Sequence, residues 1–365
     1  MKILILANND GGLYQFRKEI LESLIRNHHE VICCVPDEEG FIEKIKGIGC
    51  KWIDVSMNRR SINPISDAKL LLYYRKLIRH ERPDVVLAYT IKPNVYGGII
   101  CRINHTPFFP NITGLGTTIE NGGLLAAISL TLYRIGLKKA NCVFFQNSQN
   151  MNLFQKKRIV GENTCLIPGS GVNVDNHKLE DYPLQDTLFR FLFVGRVMKD
   201  KGIEELLQTI NLLGKDGEAV FLDVVGECDE DYSELLSRSE RQGTIKYHGL
   251  QSNVHQFYTN AHCVVLPSYH EGMANVMLEA ASTGRPVITC NIPGCMETFD
   301  EGKTGFGCMP KDVNSLKNAM KRMIDTPWET RKQMGLAGRE KVKREFDRKI
   351  IINSYLEHIS STPKN

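Results

Sequence analysis

At 365 residues, 42% hydrophobic and 24% charged, with no low-complexity tract, the chain has the size and make-up of two ordinary globular domains. This excludes a wholly disordered or fibrous protein. The net charge of +4 hides an asymmetry: residues 1–170 carry 22 Lys and Arg against 14 Asp and Glu, and residues 171–365 carry 24 against 28. The basic first half fits a membrane surface or a phosphorylated acceptor, and solvated helix faces fit it equally well.

The apolar opening, Met1 to Ala7, runs straight into Asn8-Asn9-Asp10. It is too short for a signal-peptide core and reads as a first buried strand. Apolar, β-branched runs then predict strands over 2–7, 30–35, 51–55, 84–90, 108–113, 142–147 and 164–168. Phe16, Ile20 and Leu24 recur every four residues, one apolar stripe on a helix. Pro64 suits the first turn of another helix, over 65–81, where a missing N–H costs little. The most apolar stretch, Gly122 to Tyr133, falls short of the roughly 20 residues needed to span a bilayer.

The polar, Gly- and Asn-rich segment 169–188 breaks this rhythm and is expected to link two domains. The alternation then restarts. Strands are predicted at 190–194, 220–225, 245–247, 263–267 and 286–289, and helices at 203–213, 231–241, 273–283, 313–325, 329–344 and 348–359. The Ser/Thr/Pro/Lys tail after Ile359 is expected to be disordered. Several of the eleven cysteines (Cys33, Cys34, Cys142, Cys263 and Cys290) lie inside strand runs, and no C-x-x-C or zinc spacing occurs. They read as reduced, buried thiols of a cytosolic protein. The expected fold class is therefore α/β, two doubly wound Rossmann-like domains facing a cleft, with ligands at the carboxyl ends of the strands. The domains are expected at 1–170 and 190–345, joined by a linker at 171–189, with 346–365 a C-terminal helix and tail that packs back on the first domain.

The strongest chemical signal is Ser268-Tyr269-His270-Glu271-Gly272-Met273-Ala274-Asn275, with Glu279 following on the helix. Eight helical positions span roughly 12 Å, more than the ~5–9.5 Å between the acid and base of a glycosidase. Two contact points on one elongated ligand, such as a sugar and a ribose joined by a diphosphate, fit better. The backbone N–H groups of Gly272–Asn275 are then expected to face its anionic middle. A capping carboxylate with a solvated helix glutamate is the structural alternative. The second signal is Gly195-Arg196 at the end of a strand, followed by Lys201-Gly202. Arg196 offers a planar fork of donors and Lys201 a mobile charge, together enough to neutralise a departing diphosphate without a metal. Gly11 and Gly12 follow the first strand without G-x-G-x-x-G or Walker spacing, so a dinucleotide or P-loop site is not supported.

Gly195-Arg196, Lys201-Gly202 and Glu271…Glu279, together with Ile167-Pro168-Gly169-Ser170-Gly171-Val172, resemble the family-4 retaining glycosyltransferases of GT-B architecture, over nearly the whole chain. The resemblance implies that Arg196 and Lys201 bind a donor diphosphate and that Glu279 bonds the ribose. It places Glu271 near the donor sugar's hydroxyls, with Gly272, Met273, Ala274 and Asn275 lining the sugar and phosphate, while Gly195 turns the chain beside them and Gly11 and Gly12 lie over the phosphates. Tyr89-Thr90-Ile91-Lys92-Pro93-Asn94 and Asn111-Ile112-Thr113-Gly114-Leu115-Gly116 resemble a bacterial subgroup that adds a sugar, often an N-acetylhexosamine, to a polyprenyl-diphosphate-linked sugar in surface glycan assembly. Lys92, Asn94 and Thr113 are thereby expected at the acceptor. Thr113 or a neighbour stands where many relatives have a histidine, which puts that histidine's role in doubt here; nearby His105 reads as a loop residue. The implied substrates are a UDP-sugar and a lipid-linked or oligosaccharide acceptor, with no cofactor, no metal and no nucleic acid. A location in the cytoplasm, at the inner face of the plasma membrane, is expected. A sugar-nucleotide 2-epimerase of the same architecture and a non-catalytic nucleotide-sugar-binding scaffold are the alternatives.

Overall fold

The structure, a computed structural model, describes residues 1–56, 63–115, 122–184 and 188–362. It divides into two units, Met1–Ser170 with Arg348–Asn365, and Gly171–Asp347.

The first unit is built on seven parallel strands: β1 (Lys2–Leu6), β2 (Glu30–Cys34), β3 (Lys51–Ile53), β4 (Val85–Tyr89), β5 (Phe108–Ile112), β6 (Val143–Phe145) and β7 (Thr164–Leu166), in the order β3-β2-β1-β4-β5-β6-β7. Leu6 pairs with Cys34 on one side and Ala88 on the other, so the order reverses beside β1. Residues of alternate parity face opposite layers. Leu4, Leu6, Val86 and Ala88 pack beneath the helices α3 (Pro64–Glu81), α4 (Gly98–Ile103), α5 (Gly123–Leu137) and α6 (Ser148–Lys156). Ile3, Ile5, Val85 and Leu87 pack beneath α1 (Asp10–Arg26) and α2 (Ile42–Gly47).

Helix ends follow local chemistry. The Asn63 side chain accepts from Ile65 N at 3.0 Å ahead of Pro64, and α3 stops at Arg82 in a left-handed conformation. Helix α6, not foreseen in the sequence, has a Ser/Asn/Gln-rich composition of poor propensity, but the Asn147 side chain caps Asn150 N at 2.9 Å and Phe154 is fully buried. The apolar helix α5 buries Ala126, Tyr133, Gly136 and Leu137, yet leaves Leu124, Leu125, Ile128 and Ile135 exposed.

The second unit carries six parallel strands: β8 (Phe189–Val194), β9 (Val220–Val225), β10 (Ile245–Tyr247), β11 (Cys263–Leu266), β12 (Val287–Cys290) and β13 (Gly305–Cys308), in the order β10-β9-β8-β11-β12-β13. Its helices are α7 (Ile203–Lys215), α8 (Ser233–Arg241), α9 (His255–Asn260), α10 (Asn275–Ser282), α11 (Val313–Asp325) and α12 (Trp328–Glu345). Strand β13 escaped the sequence pattern because two of its four residues are glycine, which strands disfavour; a side chain at Gly305 would meet the Val287 carbonyl of the neighbouring strand.

Two expected boundaries change. The segment expected to be a free linker, 171–189, belongs to the second unit as far as it is described. Val172 and Val174 pack with Met273, Leu278, Ala281, Val342 and Phe346, and Tyr182 donates to the His262 carbonyl at 2.8 Å. Burial of three apolar side chains outweighs the polar look of the segment. The unit extends to Asp347, where Val172 N bonds Phe346 O at 2.9 Å. The chain then returns to the first unit through α13 (Arg348–Ser360), which buries Ile351, Tyr355 and Ile359, spaced four residues apart, beside α1 and pairs Arg348 with Glu19 at 2.5 Å. The tail expected to be disordered is described through Thr362, whose hydroxyl bonds His358 O at 3.1 Å; residues 363–365 lie outside the described residues. All eleven cysteines are free thiols, nine of them buried.

Candidate active site

In the second sheet the strand order reverses between β8 and β11, and both sequence signals leave the carboxyl ends of those two strands. After β8, Gly195 turns the chain and Arg196 emerges half-exposed, its Nη1 2.7 Å from Asp229 Oδ2. A pair this open holds its arginine by about 1 kcal/mol or less, so the guanidinium is free to change partner. The short 3₁₀ turn Lys199–Lys201 follows, and Gly202 closes it at φ 70°. A Cβ there would lie 2.2 Å from the Pro267 carbonyl oxygen, so only glycine lets this turn press against the strand end of β11.

The loop after β11 is tied to that turn. Tyr269 N donates to Asp200 O at 2.9 Å and Ser268 Oγ bonds the same oxygen at 3.2 Å. The Tyr269 hydroxyl reaches Glu205 Oε1 on α7 at 2.5 Å. This stitching brings Lys201 Nζ within 2.5 Å of Glu271 Oε1, seventy residues away in sequence, with both side chains largely shielded. Beneath them Cys295 is fully buried, and its thiol is pushed up by burial and by the Glu271 carboxylate. Gly294, at φ 82°, passes so close that a Cβ would meet Glu271 O at 2.5 Å.

Glu279 lies on α10, where Tyr258 donates to its Oε2 at 2.8 Å. Tyr258 is fully buried, and its phenol is pushed well up by burial and by the carboxylate it serves. Its place depends on Arg285, a guanidinium with no exposed surface whose nitrogens donate to the carbonyls of Tyr258 (2.8 Å), Asp181 (2.7 Å), Thr259 (3.2 Å), Glu180 (3.4 Å) and Gly284 (3.4 Å). Burial lowers its pKa to about 10.

The start of α10 corrects the expectation of a row of open N–H groups. Ala274 N is spent on Gly294 O at 2.7 Å and Asn275 N on Met273 O at 2.9 Å, while the Met273 side chain is buried against Val172 and Val174. The chain turns irregularly before the helix, so one donor goes to the loop after β12 and the other to a carbonyl of the turn itself. Asn275 Oδ1, by contrast, is buried without a partner.

In the first unit, Gly11 and Gly12 sit in the first turn of α1 rather than in a loop. The Asn9 side chain accepts from Gly12 N, and a Cβ on Gly11 would collide with the Glu39 carboxylate. Asp10 anchors that turn. Burial works against its charge, but the N–H groups of Phe41, Glu39 and Glu38 outweigh it and hold the carboxyl below the ordinary range. Lys92 is paired with Asp67 at 2.9 Å. Asn94 is fully buried and donates to Asn111 O at 2.8 Å. Thr113 follows β5, half-buried, and Gly116 lies outside the described residues. His105 is an exposed turn residue at φ 56°.

Sequence reasoning missed Asp229, Tyr258, Gly294 and Arg285, and it placed Tyr269 inside the strongest motif without giving it a role. Of the missed residues, only Gly294 carried a local signal, the turn dipeptide Pro293-Gly294, and nothing in it says what the turn lies against. Among the described residues no cluster of His, Cys, Asp or Glu could hold a metal ion.

Known proteins resemble the chain over both units. Residues 2–147 match the glycosyl transferase 4-like family and residues 175–341 the glycosyl transferases group 1 family. The chain is a glycosyltransferase. It is 25% identical over its whole length and the whole of the relative to the N,N'-diacetylbacillosaminyl-diphospho-undecaprenol alpha-1,3-N-acetylgalactosaminyltransferase of Campylobacter jejuni. It is 28% identical to the capsular polysaccharide biosynthesis glycosyltransferase CapM of Staphylococcus aureus over 80% of each chain. Among solved structures, Anabaena HepE in complex with UDP and glucose superposes with a TM-score of 0.80 over 99% of this glycosyltransferase and 100% of HepE, at 19% identity. A Rickettsia africae glycosyltransferase gives 0.79 over 100% and 98%, at 18%. The glycosyltransferase thus has the GT-B fold, and its relatives build bacterial capsules, lipopolysaccharide and other glycans.

Proposed function

We propose that the protein moves a sugar, an N-acetylhexosamine or a hexose, from a UDP-sugar to a polyprenyl-diphosphate-linked acceptor in bacterial surface-glycan assembly, with retention of anomeric configuration. The observation that carries this reading is the shielded Lys201–Glu271 pair beside Arg196 at the reversal of the second sheet. It sets a cation for a leaving diphosphate next to a carboxylate for sugar hydroxyls. The Campylobacter relative's lipid-diphosphate acceptor and the UDP held by HepE support the substrate classes.

In this mechanism the bond from the anomeric carbon to the diphosphate oxygen breaks as the acceptor oxygen attacks the same face, and the acceptor's proton passes to the leaving phosphate. Charge grows on the diphosphate, where Arg196 and Lys201 meet it in a partly desolvated site. Glu271 orients the sugar and does not attack it. Glu279 takes the ribose hydroxyls, held in rotamer by Tyr258. Replacing Tyr258 with Phe is expected to raise the donor KM about three- to tenfold, the worth of one hydrogen bond, with kcat nearly unchanged. A fall in kcat at constant KM would contradict the positioning role.

The test of the reaction is a screen of UDP-sugars against polyprenyl-diphosphate-sugar acceptors, read by mass. Turnover of a UDP-sugar alone, without acceptor, would instead make the protein an epimerase. Tight UDP binding with no turnover on any pair would leave a scaffold.

The same reading places the protein on the cytoplasmic face of the membrane. No described helix is long and apolar enough to cross one. On one layer of the first unit, however, α3 exposes Leu72 (62%) with Arg75, Lys76 and Arg79, and α5 exposes Leu124 (77%) at its start with Lys138 and Lys139 exposed just past its end. No acidic residue occurs between Glu120 and Glu162. Apolar side chains among cations suit an anionic headgroup layer. The protein should sediment with phosphatidylglycerol vesicles at low salt, and Leu124→Ser with Leu125→Ser should release it. No sedimentation at low salt would remove the membrane contact.

A further inference from the structure

At the carboxyl edge of the first sheet, where the strand order reverses between β1 and β4, several irregularities meet. Thr90, the residue after β4, stands at φ 74°. A β-branched side chain pays for that left-handed backbone, and such strain persists where the surroundings demand it, commonly at binding sites. The helix that follows opens with a π-helical turn, Pro93–Gly97, another feature concentrated at functional sites. The Thr90 hydroxyl and the buried amide oxygens Asn94 Oδ1 and Asn111 Oδ1 have no hydrogen-bond partner.

Against this edge lies Arg17 of α1, only 4% exposed. Its guanidinium is 4.8 Å from the centre of the Tyr89 ring, and Nη1 donates to Phe16 O at 3.3 Å. With the Gln146 amide turned to satisfy both neighbours, its oxygen accepts from Arg17 Nη2 at 3.0 Å while its nitrogen donates to Thr113 O at 3.2 Å. Among the described residues no carboxylate pairs with Arg17. Of the other buried arginines, Arg285 donates to five carbonyls, Arg331 to the carbonyls of Met323 and Ile324, and Arg348 is paired with Glu19. A guanidinium taken out of water with no counter-charge and donors to spare is costly to keep. An anionic ligand supplies what the fold leaves out.

We propose that Arg17 and the Thr90 hydroxyl form an anion site of the first unit that takes a phosphate of the acceptor's diphosphate. This rests on the lipid-diphosphate acceptor named above. Arg17 faces the reversal of the sheet, where doubly wound folds bind ligands, and its planar fork matches two phosphate oxygens. The strained Thr90 backbone holds the hydroxyl at the same edge.

The test is calorimetric binding of farnesyl diphosphate to the full-length protein, with UDP present in excess to fill the donor site. The wild type should bind. Arg17→Gln should weaken farnesyl diphosphate at least about tenfold and leave the affinity for UDP unchanged, while Arg17→Lys keeps most of the binding. Thr90→Val should weaken it severalfold and serves as the independent probe should Arg17→Gln fail to fold. Unchanged farnesyl diphosphate binding in Arg17→Gln, or in Thr90→Val if that probe is needed, overturns the proposal. So does a parallel loss of UDP affinity in Arg17→Gln that Arg17→Lys does not restore, since that marks a purely structural arginine. A wild type that binds UDP but no farnesyl diphosphate overturns the anion site and leaves the nucleotide-sugar reading standing. A wild type that binds no UDP removes that reading itself.

Discussion

Replacing Arg196 with Ala is expected to lower kcat/KM by on the order of 10²-fold or more, without unfolding the protein. The side chain is half-exposed and its partner is the surface carboxylate Asp229, so its removal costs little stability. Its value lies in the charge that develops on the leaving diphosphate, and a donor aimed at developing charge is lost mostly from kcat. Steady-state kinetics beside a thermal melt separate the two effects. A Tm near that of the wild type with turnover down a hundredfold is the expected pair. Near-normal turnover would remove Arg196 from the leaving-group role and leave Lys201 as the cation of the site.

Replacing Arg285 with Met is expected to destabilise the second unit by roughly 3–5 kcal/mol, the usual consequence of removing one member of a buried charged network. Methionine nearly matches the volume, so the loss comes from the carbonyls of Glu180, Asp181, Tyr258, Thr259 and Gly284, all left without the donor they now share. Four of these lie away from the turn that precedes Arg285: two in the 171–184 segment and two near the end of α9. The segment should therefore loosen together with Tyr258, and limited proteolysis near residues 180–184 should accelerate before the global melt. Urea unfolding measures the stability change. A loss under about 1 kcal/mol would mean that water satisfies these carbonyls and that Arg285 is not what holds the segment down.

The fold was legible to the extent that each element announces itself locally. Parallel strands buried on both faces read as apolar runs such as those of β1, β4 and β11, and the stripe of Phe16, Ile20 and Leu24 belongs to α1. Where local composition argued against the element, sequence reading failed. Gly305 sits in β13 because the Val287 carbonyl of the neighbouring strand leaves no room for a side chain, Gly307 lies against the Asn291 side chain, and α6 forms on a polar sequence with its cap and one buried phenylalanine.

The amino-acid order alone determined the alternation of strand and helix in both halves, the Gly195-Arg196 and Lys201-Gly202 signals, and the Glu271…Glu279 spacing, since all of these are read from residues close together in the chain. Tertiary structure decided the rest. It set Lys201 against Glu271 across seventy positions and Tyr258 under Glu279. It folded 171–184 into the second unit and returned the last helix to the first. Such pairings depend on the order in which strands lie side by side, and a local pattern of polar and apolar residues carries no record of that order.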